Sequence, residues 1–382
     1  MKNIQYVATC LFGLEKFVGE EIDALGYKRT ETIDGRVYFE GDITAIPRCN
    51  LHLRCAERVY ILIGECSVST FDHLFEGTKA LPWEEWIDGT DAFPVKGHSV
   101  QSTLTSIPDC QKIIKKAIVE RMKIKYAISW FPETGIKKQI SFFILRDKAA
   151  FMLDTSGEGL YKRGYRKGTN EAPLRETLAS AMAAISRPRY DVLFWDPLCG
   201  SGTIPIEAAL RLSHTAPGLF RTFSSEQYRQ ITSSLWKQAR EEARDLITHE
   251  PFEIYGSDID PNVLEFANQN ARNAGMSKWI HFFKMDVRDI TTRGKRGTIV
   301  TNPPYGERLL DVPAARALLQ DMGKAFSTLQ NWQIYIISSD EEFEKYYGKK
   351  ADKARKLYNG MIRCQFFQYY KNPKQGKIVN KM

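Results

Sequence analysis

The second half of the chain alternates short hydrophobic segments with longer helical segments, and this alternation constrains the fold more than any other feature of the sequence. Strands and helices that alternate in this way predict a parallel sheet covered on both faces. Near the end, Asn359-Gly360 lies between two β-rich segments and predicts an antiparallel hairpin. The predicted fold class of residues 161–382 is therefore α/β with a C-terminal antiparallel hairpin. The predicted strands are DVLFWD, FEIYGSD, IHFFKMD, GTIVTN and WQIYIISSD.

Ligands of open α/β sheets bind beyond the carboxyl ends of the strands, so the residues that follow each strand are the candidate site residues. The first strand ends at DPLCGSGT, in which Gly200 and Gly202 permit a tight turn and a close approach of the backbone to a ligand. Thr203 and the residues after it replace the third glycine of GxGxxG, which counts against a dinucleotide fold. The sequence contains neither GxxxxGKS nor GxxxxGKT, so a P-loop is excluded.

Acidic residues follow the next two strands. Asp258 is the candidate to accept hydrogen bonds from the two hydroxyl groups of a ribose. Asp260 is expected to cap the following helix, whose first turn contains Pro261. Asp286 follows the third strand, where its carboxylate can accept a hydrogen bond from an adenine amino group. Together these strand ends predict a site for a cofactor that contains a nucleoside.

The fourth strand is followed by Asn302, two prolines and Tyr305, and this segment indicates the chemistry. The prolines remove two backbone donors and fix φ, so the chain leaves the sheet along a rigid path. The Asn302 side-chain oxygen and the Pro303 carbonyl can accept both N–H groups of an exocyclic amino group, which aims the nitrogen lone pair at a methyl sulfonium. Tyr305 offers a face on which a flipped base can stack. The segment predicts methylation of a base amino group, with Asn302, Pro303 and Tyr305 as the catalytic residues.

An insertion separates the glycine loop from the second strand. In a compact dinucleotide fold the ribose-binding acid lies about 20 residues after this loop, whereas Asp258 lies 56 residues after Gly202. The interval predicts a long helix around residues 225–247. The sequence leaves open what this insertion contacts.

The first third of the chain predicts small α+β modules, and its charge is unevenly distributed. Residues 1–111 contain ten Lys and Arg against seventeen Asp and Glu, whereas residues 112–148 contain ten against three. Residues 345–382 contain eleven against one. This segregation suggests that a polyanion such as a nucleic acid meets specific faces, although solvated basic helices give the same pattern. The basic stretches include a predicted helix at residues 109–124.

A basic segment, YKRGYRKG, lies where the two halves of the chain meet. Its mixture of aromatic and basic side chains suits single-stranded RNA, through phosphate contacts and stacking. A basic interdomain linker is the equal alternative. The side chains concerned are those of Tyr161, Arg163, Tyr165 and Arg166.

The composition argues against several classes of protein. No run of about 18 apolar residues and no signal peptide is found, so no membrane association is expected. The seven cysteines are scattered without a CxxC motif, which predicts reduced thiols and a cytoplasmic location. The six histidines have no ligand spacing, so no metal is implied. Cys199, inside the glycine loop, is interpreted as a small packing residue.

The motifs DPLCGSGT, GSDIDP, MDVRD and TNPPYGERL resemble motifs I to IV of class I S-adenosylmethionine-dependent amino methyltransferases, over about residues 165–382. The segments LHLRCAERVY and DTSGEGLYKRGYR resemble those of bacterial THUMP-domain RNA methyltransferases. Members of that family make N2-methylguanosine in ribosomal or transfer RNA, and they are often labelled N6-adenine-specific DNA methylases.

The resemblance implies three domains: a ferredoxin-like domain at residues 1–65, a THUMP domain that grips RNA at residues 66–160, and a Rossmann-like catalytic domain at residues 161–382. It implies S-adenosyl-L-methionine as the cofactor and rRNA or tRNA as the partner. Asp258 would then hold the ribose and Asp286 the adenine amino group. The methionine part would be surrounded by Asp196, Gly200, Gly202 and Thr203.

Three functions remain open at this point. The first is methylation of guanine N2 in structured RNA, which the THUMP-like front section favours. The second is methylation of adenine N6 in RNA or DNA, because both amino groups suit the same Asn-Pro-Pro-Tyr segment. The third is an RNA-binding assembly protein with an inactive methyltransferase domain, since a fold alone does not fix a function. The oligomeric state is left open.

Overall fold

The computed structural model describes residues 3–128, 130–166, 174–292, 294–304 and 311–370. The chain divides into two compact units, and both are discontinuous in sequence. Unit 1 contains Met1–Cys10, Val18–Leu160 and Arg221–Glu242. Unit 2 contains Leu11–Phe17, Tyr161–Phe220 and Ala243–Met382.

Unit 1 is built on a seven-stranded sheet with the strand order β2-β3-β1-β4-β7-β6-β5. A short 3₁₀ helix at Trp83–Glu85 follows the third helix. In chain order, the elements of this part of the chain are β1 (Ile4–Cys10), α1 (Glu15–Ala24), β2 (Lys28–Ile33), β3 (Arg36–Gly41), α2 (Ala45–His52), β4 (Ala56–Ser67), α3 (Phe71–Lys79), β5 (Val95–Val100), α4 (Ile107–Tyr126), β6 (Ile140–Leu145) and β7 (Lys148–Asp154).

The long strand β4 joins the two halves of this sheet. β4 pairs antiparallel with β1 on one side and with β7 on the other. The modules predicted for the first third therefore share one continuous sheet, because β1 pairs with the first half of the twelve-residue β4 and β7 pairs with its second half. The predicted basic helix is α4, which is four residues longer than the sequence indicated.

Unit 2 contains a second seven-stranded sheet, with the strand order β10-β9-β8-β11-β12-β14-β13. A short 3₁₀ helix occurs at Val287–Asp289, and another at Ser224–Gln227 belongs to unit 1. The remaining elements of the chain are α5 (Glu176–Ser186), β8 (Leu193–Asp196), α6 (Thr203–Leu212), α7 (Ser233–Asp245), β9 (Ile254–Asp258), α8 (Pro261–Asn273), β10 (Ile280–Lys284), β11 (Gly297–Thr301), α9 (Val312–Ser327), β12 (Trp332–Ser338), α10 (Phe343–Tyr347), β13 (Lys353–Asn359) and β14 (Ile362–Tyr369).

Strands β8 to β12 are parallel, and the hairpin β13–β14 is added antiparallel to β12. This arrangement confirms the parallel sheet and the terminal hairpin that the sequence predicts. All four residues of β8 are buried, as expected for a central strand covered on both faces. One face packs against α9 and α10 through a core that includes Trp195, Ile299, Phe326 and Phe367.

The insertion between α6 and β9 belongs largely to unit 1. The Tyr228 hydroxyl donates to the carbonyl of Asp154 at 2.6 Å, and the Ser225 hydroxyl donates to the carbonyl of Thr155 at the same distance. Trp236, on α7, is 4% exposed and stacks on Phe223 with ring centroids 5.1 Å apart. The long helix predicted at 225–247 is α7, which is shorter because a 3₁₀ turn and a loop precede it. The insertion is therefore part of the core of unit 1.

Candidate active site

The carboxyl ends of β8, β9, β10 and β11 lie at one edge of the second sheet and bring the predicted site residues together. The strands are neighbours and parallel, with Asp196 opposite Gly256 and Lys284 opposite Asp258. Asp196 and Asp258 end their strands, whereas Asn302 directly follows β11. This edge is where an open α/β sheet binds its ligand.

The glycine loop is fastened to the end of β9. The Gly200 N–H donates to Asp258 Oδ2 at 2.9 Å, and the Cys199 N–H donates to the Ser257 carbonyl at 2.9 Å. The turn closes with a bond of 2.8 Å from the Gly202 N–H to the Cys199 carbonyl. Asp258 thus orients the loop, and each carboxylate oxygen keeps a second lone pair that can accept a ligand hydroxyl.

The two glycines of the loop differ in their surroundings. Both adopt positive φ, +49° at Gly200 and +83° at Gly202, which favours glycine. A Cβ atom at Gly202 would lie 2.9 Å from Phe282 Cζ, whereas a Cβ at Gly200 would meet no described atom within 4 Å. Gly202 is required by packing, and Gly200 faces open space in which a ligand could approach the backbone.

Asp196 connects the glycine loop to β11. Its Oδ1 accepts from the Thr301 hydroxyl at 2.7 Å and from the Leu198 N–H at 3.2 Å. The side chain is 1% exposed, and burial raises the pKa of its carboxyl to about 7, although the Thr301 hydrogen bond acts in the opposite direction. Thr301 directly precedes Asn302, so this bond fixes the start of the Asn-Pro-Pro segment against the glycine loop.

The remaining acidic residues at this edge cap helices. Asp260 accepts from the Asn262 N–H at 2.9 Å and caps α8, which confirms the role expected for it. Asp286 caps the 3₁₀ helix after β10 by accepting from the Arg288 N–H at 3.0 Å. The Met285 N–H donates to the Asp258 carbonyl at 3.0 Å, which holds Asp286 close to the end of β9.

The Asn-Pro-Pro segment begins at this edge. Pro303 is buried, whereas Asn302 and Pro304 are half-buried. Tyr305 lies outside the described residues. The structure therefore brings Asn302 and Pro303 to the same sheet edge as Asp196, Gly200, Gly202, Thr203, Asp258 and Asp286, and the individual roles of these residues stay predictions.

Two side chains of the basic segment at the start of this domain are internal. Arg163 is 2% exposed and lies with its Nε 3.4 Å from Glu207 Oε1. Tyr165 is 1% exposed and donates its hydroxyl to the same oxygen at 3.2 Å. The prediction that these two side chains contact RNA is therefore wrong. The Arg163 guanidinium and the Tyr165 hydroxyl are used inside unit 2, because the buried Glu207 carboxylate requires hydrogen-bond donors.

Arg166 contacts Thr203, which follows the glycine loop at the start of α6. Its Nη2 donates to Thr203 Oγ1 at 2.7 Å and to the Leu174 carbonyl at 3.1 Å, and its Nε lies 3.2 Å from Glu176 Oε1. Burial raises the pKa of Glu176 to about 7, and Arg166 acts against that rise. The Thr203 side chain is therefore engaged by Arg166 at the start of α6. Sequence reasoning missed this contact, since the basic residues gave no sign of which acid they would meet.

Two further residues near the loop also escaped prediction. Asn270 donates its Nδ2 to the Ser201 carbonyl at 3.1 Å from the interior of α8. Phe282 fills the space beneath Gly202 and Gly256. The repeated amides of ANQNARN were the only sequence signal for Asn270. Cys199 is buried, and burial raises the pKa of its thiol well above its ordinary value, which agrees with its interpretation as a packing residue.

No group of three or more His, Cys, Asp or Glu side chains among the described residues could hold a metal ion. Within the same part of the chain, no helix is both long enough and apolar enough to cross a membrane.

Comparison with known families assigns all three parts of the chain. Residues 5–60 match the RlmL ferredoxin-like domain, and residues 68–154 match the THUMP domain. Residues 163–368, which are more than half of the chain, match the RMKL-like methyltransferase domain. The chain belongs to the RMKL-like methyltransferase family. This assignment confirms the predicted family and the fold class. Together with a similar methyltransferase solved in complex with SAH, it confirms S-adenosyl-L-methionine as the cofactor.

Relatives of this RMKL-like methyltransferase align along its whole length. The protein named Putative RNA methyltransferase YpsC, from Bacillus subtilis (strain 168), is 44% identical over 385 residues, which are 100% of both chains. A solved structure described as a predicted N6-adenine-specific DNA methylase from Listeria monocytogenes str. 4b F2365 is 47% identical, with 97% of each chain covered and a TM-score of 0.92. The structure of SMU.472, a putative methyltransferase complexed with SAH, is 39% identical, with 98% of this chain and 99% of that chain covered and a TM-score of 0.91.

Proposed function

We propose that this protein transfers a methyl group from S-adenosyl-L-methionine to the exocyclic amino group of a base in structured RNA, and that the base is a guanine methylated at N2 in rRNA or tRNA. The observation that carries the proposal is the Asn-Pro-Pro segment at the same sheet edge as the glycine loop. The hydrogen bond between Thr301 and Asp196 ties the two together.

The residues at this edge fit the cofactor. Asp258 and Asp286 are acceptors suited to ribose hydroxyls and an adenine amino group. The space beside Gly200, where a Cβ would meet no described atom, allows a ligand to approach the loop backbone. S-adenosylmethionine supplies an electrophilic methyl group on a sulfonium sulfur. Asp258, which already holds the Gly200 N–H, couples ribose binding to the shape of the loop.

The target amino group is held by Asn302 and Pro303. The lone pair of an exocyclic nitrogen is delocalised into the base ring, so the nitrogen is a poor nucleophile until its geometry changes. Two acceptors, the Asn302 side-chain oxygen and the Pro303 carbonyl, favour the geometry in which that lone pair points at the methyl donor. Because proline fixes the backbone, these acceptors need little reorganisation. Tyr305 follows in sequence and would stack on the flipped base.

The front of the chain supports RNA as the substrate. Residues 68–154 match the THUMP domain, and the relative from Bacillus subtilis carries the name of an RNA methyltransferase. Guanine N2 follows from the motif resemblance to THUMP-domain enzymes that make N2-methylguanosine. Adenine N6 is the second candidate. The relative from Listeria monocytogenes is described as an N6-adenine-specific DNA methylase, and the Asn-Pro-Pro segment suits either amino group.

The test is methylation by the purified protein of rRNA and tRNA taken from cells that lack it, followed by nucleoside mass spectrometry. We expect N2-methylguanosine in one RNA fraction, with no product on duplex DNA. The matched control is Asn302→Ala, which should bind S-adenosylmethionine and form no product. N6-methyladenosine as the product would establish the second candidate, and no methylated nucleoside in any substrate would overturn the proposal.

A further inference from the structure

The hairpin β13–β14 extends beyond the catalytic edge of the second sheet. Ser338, the last residue of β12, pairs with Gln365, and Gln365 pairs with Lys356. The hairpin continues for three more residue pairs, to Asn359 opposite Ile362. At about 3.3 Å per residue the ladder projects roughly 10 Å past the end of β12. This is the same edge at which β11 delivers Asn302, two strands from β14 and therefore about 10 Å to the side.

The tip of this hairpin combines cations with aromatic rings. Lys356 and Tyr358 lie on the same face, and Arg363 is directly opposite Tyr358. Phe12, which belongs to the same compact unit, packs edge-on against Tyr358 with ring centroids 5.8 Å apart. We call these four side chains the tip patch.

The tip patch is open to solvent, and its charge is not neutralised. Lys356 and Arg363 are exposed, and Phe12 is 54% exposed. Met361, at the turn, is 96% exposed, so the described part of the chain leaves the tip uncovered. None of the ion pairs found among the described residues involves Lys356 or Arg363. Residues 345–370 contain seven Lys and Arg against one Asp.

Arg355, another basic residue of the hairpin, has a structural role and is not part of the tip patch. The Arg355 guanidinium lies 5.0 Å from the centroid of the Phe17 ring, on the opposite face of the ladder. Leu357 and Cys364 are buried on that face. The two faces of the tip therefore differ. On the open face the Lys356 ammonium lies 5.2 Å from the centroid of the Tyr358 ring, which keeps a cation and an aromatic ring side by side.

We propose that the tip patch binds the RNA substrate next to the target nucleotide, with Lys356 and Arg363 on phosphates and the Phe12–Tyr358 pair stacked on an unpaired base. Cations that track a backbone, together with aromatic faces for bases, are the means by which proteins hold single-stranded RNA. A base flipped into the catalytic edge leaves its flanking backbone outside the sheet, where the hairpin projects. This inference rests on the proposed function, and it assigns RNA contacts to the catalytic unit itself.

The test compares two double variants of equal charge change in the full-length protein. Lys356→Gln with Arg363→Gln removes the two cations of the tip patch. Arg272→Gln with Lys324→Gln is the control, because both residues are exposed in the last turns of α8 and α9, at the opposite edge of the sheet. The probes are rRNA and tRNA from cells lacking the protein, and the readout is the RNA dissociation constant from low to moderate salt.

We expect the tip variant to bind RNA about tenfold more weakly at 100 mM salt, and its log–log salt slope to fall by roughly 1.5, as for two lost phosphate contacts. The control variant should resemble the wild type. Phe12→Ala should weaken binding roughly tenfold without changing the salt slope, because stacking is not electrostatic. All variants should bind S-adenosylmethionine normally, which shows that they are folded.

The outcomes separate this inference from the proposed function. If the wild type methylates RNA and the tip variant binds RNA as the control variant does, the tip patch has no role and the inference fails alone. If Phe12→Ala binds as the wild type does, the stacking role is overturned and only the phosphate contacts stand. If the wild type itself neither binds nor methylates RNA, the proposed function fails and the inference fails with it.

Discussion

The two seven-stranded sheets of this protein differ in how they treat the ends of their strands. In the first sheet every pairing except that of β5 with β6 is antiparallel, so the neighbouring strands of the other pairs end at opposite edges. In the second sheet β8 to β12 are parallel and end at one edge. Only the parallel arrangement gathers residues that are far apart in sequence into one site.

This difference explains where the chemistry lies. The polar residues at the carboxyl ends of β8, β9, β10 and β11 become neighbours only because the strands are parallel. In the first sheet β2 instead turns directly into its neighbour β3, at the tight Asp34-Gly35 turn. The second unit therefore gathers strand ends into one site, and the antiparallel pairs of the first unit do not. Four predictions test this division, from the largest effect to the smallest.

Loss of the Asn302 amide should greatly slow methyl transfer without weakening cofactor binding. Asn302→Ala removes one of two preorganised acceptors, and the loss of such a group lowers turnover by roughly 100- to 1,000-fold. Steady-state kinetics and calorimetric titration with S-adenosylmethionine measure the two quantities. Asn331→Gly, at the opposite edge and with a positive φ that glycine tolerates, is the control. An equal loss of cofactor binding and turnover in Asn302→Ala would mean that Asn302 is structural.

The insertion between α6 and β9 should stabilise unit 1, although in sequence it lies within the catalytic domain. Trp236→Ala empties a buried site against Phe223 and should destabilise unit 1 by about 3 kcal/mol. Hydrogen exchange of the amides in β1 to β7 reports this directly. Phe220→Ala, which truncates an exposed ring, should change little. Unchanged protection of the first sheet in Trp236→Ala would contradict the assignment of the insertion to unit 1.

The two loop glycines should separate stability from cofactor binding. Gly202→Ala places a Cβ against Phe282 at positive φ and should destabilise the protein by about 2 kcal/mol. Gly200→Ala meets no described atom and should cost about 1 kcal/mol of stability, for its backbone conformation, while it obstructs the ligand space. Thermal unfolding and cofactor titration give both values. Normal cofactor affinity in Gly200→Ala would place the ligand elsewhere.

Asp196 should make the stability of the second sheet depend on pH. Burial raises the pKa of Asp196 to about 7, so the folded state binds a proton that the unfolded state releases near pH 4. The contribution of Asp196 to the free energy of unfolding is complete below pH 4. It is lost as the pH rises towards 7, at no more than about 1.4 kcal/mol per pH unit. Asp196→Asn keeps an acceptor for Thr301 and should flatten the profile. Denaturant unfolding between pH 5 and 8 measures the free energy of unfolding of the wild type and of Asp196→Asn. Parallel pH profiles for the two proteins would contradict the prediction.

Much of the second sheet could be predicted from the sequence, because buried parallel strands are short apolar runs followed by polar residues. Asp258, Asp260 and Asn302 could be located in this way. The Asn359-Gly360 turn was equally informative, since that dipeptide favours a two-residue hairpin.

Contacts between distant side chains could not be predicted. Arg163 and Tyr165 have the composition of an RNA-binding segment, and only the fold shows that Glu207 takes their hydrogen bonds. The continuity of the first sheet depends on β4 using both of its edges, which no local pattern specifies. The insertion contacts unit 1 through side chains of ordinary composition, such as Tyr228 and Ser225.

The central claim is that the acidic strand ends and the Asn-Pro-Pro segment form one site for methylation of a base amino group in RNA. Nucleoside mass spectrometry of rRNA and tRNA from cells lacking the protein, complemented with the wild type or with Asn302→Ala, tests it most directly. The account predicts that N2-methylguanosine is lost from one fraction, is restored by the wild type, and is not restored by Asn302→Ala. Restoration by Asn302→Ala, or unchanged nucleosides in the cells that lack the protein, would contradict it.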